Sequence, residues 1–382
     1  MIRNHPTSTA DGQSAFSWYA PATQPFPDAI ALATPDGDVT FGDLADRVAG
    51  EQARLVDEGF KSGQRIRHDH PAVKPGSVDW LATLLAGLNL GLQVILPDQD
   101  WPREQIPRHT ADLLNADDRE PAPHGSQAGV WLFTSGTTAR PKPRFRSLAL
   151  LRDDVARVAA RLPDDLRERR PAGLCLLPLS HGFGLVNALL LVHSLGGTVA
   201  MAELPQRDRI AELLRTYRVE MLYSWPAHLQ QLADADLWRQ AKAPLRWCVS
   251  SSLALSPEVA ARFNAASGCP VRQQYGATET GPLCVDSDEP PSRSTQCVGR
   301  PLDGVALSVL SPSGDTLPAA GKGEVVVRLK HMTLPAEELT AEGYYRTGDC
   351  GYRDSDGLVY ILKRFKPFTD ERQMATNAGS DA

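Results

Sequence analysis

From Gly129 onward the chain alternates between two textures. Short apolar runs ("VWLF", "LCLLPL", "TVAMA", "EMLYSW", "RWCVSS", "VRQQY") are separated by amphipathic stretches with helical spacing ("LALLRDDVARVAARL", "GLVNALLLVHSL", "DRIAELLRTYRV", "AHLQQLADAD", "SPEVAARFNAA"). A strand that is apolar on both faces must be covered on both faces, and helices between successive strands do this only if the strands run parallel. The pattern therefore predicts an α/β fold in which a parallel sheet is covered by helices. In open sheets of this kind ligands bind beyond the carboxyl ends of the strands, so the residues that follow each run are the ones to inspect.

Upstream, "VTFGDLADRVAGEQARLVDEGF" reads as a short strand and an amphipathic helix with Leu44, Val48, Ala53, Leu55 and Val56 near one face. A second helix, near Trp80 to Leu90, leads into the strand-like "LQVILPD". After about Gly299 the texture changes to "GVALSVLSPSGD", "GEVVVRL" and "GLVYIL", short strands with Gly/Asp turns that predict a small β-rich subdomain. The expected division is an α/β core over 1–298, a β-rich subdomain over 299–366 and a disordered tail over 367–382, because "ERQMATNAGSDA" has little to bury.

Composition narrows the function classes. At 382 residues the chain is large enough for a sizeable core and one appended unit. A net charge of -6 gives no reason to expect nucleic acid as a partner. The six cysteines are scattered with no CxxC pair, which suits buried reduced thiols in a cytoplasmic protein better than a zinc site. The N-terminal "MIRNHPTSTADGQSAF" has no apolar signal segment, and the longest apolar stretches are broken by Gly, Asn, His and Ser, so no membrane span is expected.

The stretch "WLFTSGTTARPKPRFRS" sets an apolar run against a polar, cationic loop. Thr134, Ser135, Thr137 and Thr138 offer hydroxyls, Gly136 permits close backbone approach, and Lys142 with nearby Arg140, Arg144 and Arg146 supplies positive charge. Taken alone, this is either a phosphate-holding loop or a polar turn after a strand. No G-x-x-x-x-G-K-[ST] occurs, and "HGFGLVN" has Asn187 where a dinucleotide fingerprint needs its third glycine.

Further segments give the loop a context. "TSGTTARPK", "LPLSHGFGL", "QQYGATETG" and "YYRTGDCGYRDSDGLVYILKRFK" follow one another in an order and spacing that resemble the core motifs of the adenylate-forming superfamily, which includes acyl- and aryl-CoA synthetases and peptide-synthetase adenylation domains. "LRWCVSSSLALSPEV" is a fifth match, with Ser251 and Ser252 where the family commonly has glycines. The resemblance implies the family's large N-terminal-type domain with its small β-rich subdomain. It also implies a two-step reaction: a carboxylate attacks the α-phosphate of Mg-ATP to give an acyl-adenylate and pyrophosphate, and a phosphopantetheine thiol then displaces AMP.

By motif match, Thr134, Ser135, Gly136, Thr137, Thr138 and Lys142 would line a β/γ-phosphate loop. Thr278 would touch the α-phosphate and Glu279 would hold Mg2+, with Lys142, Thr278 and Glu279 as the catalytic set. Asp349 would accept both ribose hydroxyls, Tyr275 and the segment of Ser251 and Ser252 would flank adenine, and Arg364 would assist at the ribose. His181 and Trp225 would position the acid. Read without the resemblance, Glu279 suits the first turn of a helix and Asp349 a simple turn.

The sequence also departs from the family. Ala139 and Pro143 stand where glycines are common, and the chain ends at Ala382, soon after the hinge position Lys366. The resemblance is therefore to a truncated member without the mobile C-terminal domain that supplies a further lysine. The expected function is an AMP-forming carboxylate ligase that uses ATP and Mg2+ to activate an aromatic (hydroxybenzoate-like) or fatty acid for an acyl carrier protein or CoA. A separate protein resembling the C-terminal domain is a conceivable partner. The alternative is an impaired homologue that holds AMP or an acyl-adenylate for a partner protein.

Overall fold

The computed structural model describes residues 26–68, 76–97, 106, 110, 113, 127–134, 141–292, 294–330, 332 and 334–365. Ser135, Gly136, Thr137, Thr138, Ala139, Arg140, Lys366 and the 367–382 segment lie outside the described residues.

The strands in chain order are β1 (Ile30–Thr34), β2 (Gly37–Thr40), β3 (Arg65–Arg67), β4 (Gln93–Ile95), β5 (Gly129–Phe133), β6 (Pro143–Ser147), β7 (Ala172–Cys175), β8 (Thr198–Met201) and β9 (Met221–Ser224). They continue with β10 (Trp247–Ser250), β11 (Val271–Ala277), β12 (Gly281–Val285), β13 (Cys297–Pro301), β14 (Val305–Leu310), β15 (Gly323–Leu329), β16 (Tyr345–Arg353) and β17 (Val359–Arg364). A thirteen-stranded sheet has the order β14-β15-β16-β17-β13-β12-β11-β10-β9-β7-β8-β1-β2, and a separate four-stranded sheet has the order β3-β4-β5-β6.

The β11-β10-β9-β7-β8-β1 portion is parallel throughout. Both of its faces are buried, as the apolar runs require. On β9 Met221 and Tyr223 enter one core while Leu222 enters the other, and on β10 Trp247 and Val249 oppose Cys248 in the same way. At about 25 cal/mol per Å² of apolar surface, this two-sided burial is the main source of stability. Beyond β11 every pairing is antiparallel, from β12 through β17.

Three sequence expectations change. The "VWLF" run is not part of the large parallel sheet. As β5 it belongs to the four-stranded sheet and turns back antiparallel into β6, a strand hidden in the cationic "PRFRS". Helix α1 (Phe41–Asp57) starts on a Thr40/Asp43 capping box and buries Phe41, Leu44, Val48 and Leu55. Its Ala53 and Val56 face solvent, because the helix turns 100° per residue and Leu55 already occupies the core stripe. Within "GLVNALLLVHSL", residues Gly184–Leu191 wind as a π-helix, wider than the α-helix that the spacing predicts.

All six cysteines are free and buried. Among the described residues no helix is long and apolar enough to cross a membrane.

Candidate functional site

The site is assembled where the β5–β6 hairpin of the small sheet meets the β11–β12 hairpin of the large one. In the first hairpin, Thr134 N–H donates to Lys142 O at 3.0 Å and Lys142 N–H donates to Thr134 Oγ1 at 3.2 Å. These bonds close the neck of the loop. The Thr134 hydroxyl thus accepts a structural bond and keeps its own proton for donation.

Side chains alternate along β6. Phe145 points to the apolar side with Trp131 and Phe133, and Arg144 and Arg146 point to the other face, with Lys142 one pleat beyond them. Lys142 is exposed, with no salt bridge among the described residues. Arg146 is 4% exposed and pairs with Asp154 of helix α2 (Leu148–Ala159), whose carboxylate is fully buried and also holds Arg157. Removing one member of such a pair costs about 3–5 kcal/mol.

Arg146 also reaches the second hairpin, where its Nη1 donates to Glu279 O at 3.5 Å. Thr278 and Glu279 occupy the tip of this β11–β12 turn, which Thr280 closes: Ala277 N–H donates to Thr280 Oγ1 at 3.3 Å, and Thr280 N–H to Ala277 O at 3.2 Å. The helix-terminus reading of Glu279 is therefore replaced by a hairpin tip. Gly281 follows at φ +71°, with the Arg146–Asp154 pair against its Cα, and a Cβ there would sit 2.5 Å from both partners.

The Glu279 carboxylate is 14% exposed, with its Oε1 3.6 Å from Arg144 Nε. Nη1 and Nη2 of Arg144 grip the two oxygens of Glu338 at 2.8 Å each. Tyr345 also neighbours Glu279, and its hydroxyl is pushed up by burial and by the charge and hydrogen bonding of this carboxylate.

Asp349 stands on β16 opposite Arg364 of β17. Its Oδ2 accepts the Tyr275 hydroxyl at 2.6 Å, and its backbone N–H donates to Thr347 Oγ1 at 3.1 Å. Burial raises the Asp349 carboxyl above its ordinary value and nearby Glu279 adds to this, while the Tyr275 hydrogen bond and Arg364 oppose it.

Ser251 is buried and donates to Gln274 O at 2.8 Å, tying the end of β10 to the middle of β11 beside Tyr275. Ser252 is exposed at φ +73°. Past the carboxyl ends of β7 and β9, His181 packs edge-on against Trp225 with centroids 5.7 Å apart, and Trp225 leans on His228 at 5.2 Å. Trp225 Nε1 and His228 Nδ1 are buried without hydrogen-bond partners, and burial lowers the His228 pKa.

The structure thus brings Glu279, Tyr275, Asp349 and Arg364 near one another, with Thr278 on the same hairpin tip as Glu279 and Lys142 at the neck of the β5–β6 hairpin, and sets Ser251, Ser252, His181 and Trp225 past the ends of neighbouring parallel strands. Sequence reasoning missed Glu338, Tyr345 and His228. Tyr345 stands in the segment read for "RTGD", and Glu338 lies just upstream of it in "PAEELTAEG", which carries no motif. Arg144 and Arg146 were noticed as loop charges, although their spacing of two with Lys142 already signals one face of a strand.

The AMP-binding enzyme family matches residues 92–335. This chain belongs to that family. Among curated AMP-binding relatives, sulfoacetate–CoA ligase of Cupriavidus necator is 32% identical over 89% of this chain and 76% of that enzyme. Oxalate–CoA ligase of Arabidopsis thaliana is 29% identical over 64% of this chain and 49% of that enzyme, so the chain spans about half of its length. These relatives are acid–thiol ligases. The same fold is found in ATP-bound MatB from Rhodopseudomonas palustris, at 22% identity and a TM-score of 0.76 over 92% of this chain and 79% of that one.

Proposed function

We propose that this chain activates a carboxylic acid as its acyl-adenylate with ATP and passes the acyl group to a phosphopantetheine thiol, on CoA or on an acyl carrier protein. The observation that carries this reading is the position of Glu279. Its hairpin tip lies between the cationic β6 face and the Asp349–Tyr275 pair, so one turn spans the distance from a phosphate-attracting surface to a ribose-accepting carboxylate.

In the first step a carboxylate oxygen attacks the α-phosphorus and pyrophosphate leaves; in the second, a thiolate attacks the acyl carbon and AMP leaves. The carboxylate nucleophile and the polyphosphate repel each other, so the site must screen charge and hold the two in line. Lys142 and the loop it closes would receive the β- and γ-phosphates, Thr278 the α-phosphate and Asp349 the ribose hydroxyls, with Tyr275, Ser251 and Ser252 against adenine and Arg364 at the ribose.

Magnesium suits this donor set as an ion that arrives with the nucleotide. Among the described residues no three His, Cys, Asp or Glu side chains gather to hold a metal by themselves, whereas Mg2+ is commonly bound by one carboxylate together with phosphate oxygens and water. Glu279 would hold it, and bound there it would screen the phosphate charge.

The acid would lie against Trp225 and His181, whose aromatic surfaces favour an aryl or long apolar acid. An ionised acid needs no general base, so His181 positions it. The test is exchange of labelled pyrophosphate into ATP with Mg2+ across a panel of hydroxybenzoates and fatty acids. Acid-dependent exchange supports activation. AMP binding with no exchange would transfer the reading to a chain that holds nucleotide for a partner.

A further inference from the structure

Lys142, Arg144 and Arg146 form a ladder of cations on one face of a strand, but their counter-ions hold them very differently. Arg146 is neutralised for good by Asp154, which is fully buried on a helix. Lys142 is exposed. Arg144 is intermediate: only 11% exposed itself, it is gripped by Glu338, which is 28% exposed and ends the single turn Ala336–Glu338, where no residue is buried. Its anion is therefore the replaceable one.

We propose that Arg144 is a ligand of the nucleotide's β- and γ-phosphates and that Glu338 competes with polyphosphate for the same guanidinium. The inference rests on the nucleotide reading given above. Three observations support it. The Arg144–Glu338 contact uses two parallel N–H donors on two oxygens at 2.8 Å, the fork geometry with which arginine also grips phosphate. The third donor, Nε, is buried without a hydrogen bond and lies 3.6 Å from Glu279 Oε1, so the guanidinium is turned toward the Thr278–Glu279 hairpin tip. Finally, Glu279 and Glu338 flank Arg144 with two carboxylates beside the expected path of a polyanion. Exchanging Glu338 for phosphate would remove one of those repulsions and keep the cation paired.

The experiment is calorimetric titration of the full chain with AMP, ATP and inorganic pyrophosphate, with Mg2+ and without, for wild type, Glu338→Gln, Arg144→Gln and the double variant, with a thermal melt of each. Glu338→Gln should tighten ATP and pyrophosphate about tenfold and leave AMP within about twofold, since AMP carries no β- or γ-phosphate. Arg144→Gln should weaken ATP and pyrophosphate by a similar factor, and in its background the Glu338 change should have no effect. An ATP-to-AMP affinity ratio unmoved by Glu338→Gln, or an equal gain from Glu338→Gln with and without Arg144, overturns the proposal while AMP binding leaves the nucleotide reading standing. Failure of wild type to bind either nucleotide overturns both. If Arg144→Gln does not fold, the ATP-to-AMP ratio of Glu338→Gln alone decides: a rise of about tenfold supports the competition and an unchanged ratio overturns it.

Discussion

The Tyr275 hydroxyl donates to Asp349 Oδ2 at 2.6 Å, joining the strand that leads into the Thr278–Glu279 turn to the strand that carries the "RTGD" aspartate. The bond partly compensates a carboxylate that burial disfavours.

Asp349→Asn should therefore separate stability from binding. Because the folded carboxyl titrates above its unfolded value, the folded state holds the proton more tightly, and the resulting stability is fully present below the unfolded pKa of 3.8 and is lost as pH rises through the raised folded value. At neutral pH the charge is a net cost, so the Asn variant should melt higher by about 1–3 °C. Its AMP affinity should fall about tenfold or more, the scale of a lost hydrogen bond to a charged group. Wild-type affinity should also weaken as pH drops into the same window, and more steeply than that of the variant, in which only the AMP phosphate and the neighbouring glutamates still titrate. Tyr275, Arg364, Glu279 and Glu324 are charged or titratable groups that face this carboxyl, and calorimetry across pH 4–8 checks the profile.

Gly281→Ala tests the brace beneath Glu279. A methyl at φ +71° and 2.5 Å from Arg146 Nη2 and Asp154 Oδ2 must push the buried pair apart. The expected loss is on the order of 3 kcal/mol, with weaker ATP binding because the Thr278–Glu279 turn loses its support from Arg146. A melting temperature and ATP affinity equal to wild type would mean that the pair does not position the turn.

Ser252→Gly has the opposite sign. Ser252 is exposed at φ +73°, a conformation that costs a residue with a Cβ and suits glycine. Denaturant unfolding should show a gain of about 0.5–1 kcal/mol with no change in the m-value.

Trp225→Ala should raise KM for an aryl acid by about tenfold, as expected for a removed pocket wall, and leave KM for ATP within about twofold. His181→Ala should act on the same parameter with a smaller effect, because His181 meets Trp225 through an edge contact. Steady-state kinetics with ATP and acid varied separately tests both, and a change confined to KM for ATP would place the acid elsewhere.

The sequence by itself determined the α/β class, the order of the parallel strands' segments and the set of chemically apt side chains, because hydrophobic periodicity and short motifs are local properties of the chain. The Lys142, Thr278 and Asp349 positions could be named that way. Tertiary structure alone decided which strand pairs with which, turning "VWLF" and "PRFRS" into a separate hairpin and Glu279 into a hairpin tip. It also paired Arg144 with Glu338, 194 positions away. Such a pair leaves no periodic trace in either segment, since its energy comes from desolvation and geometry that exist only after the two sheets have packed.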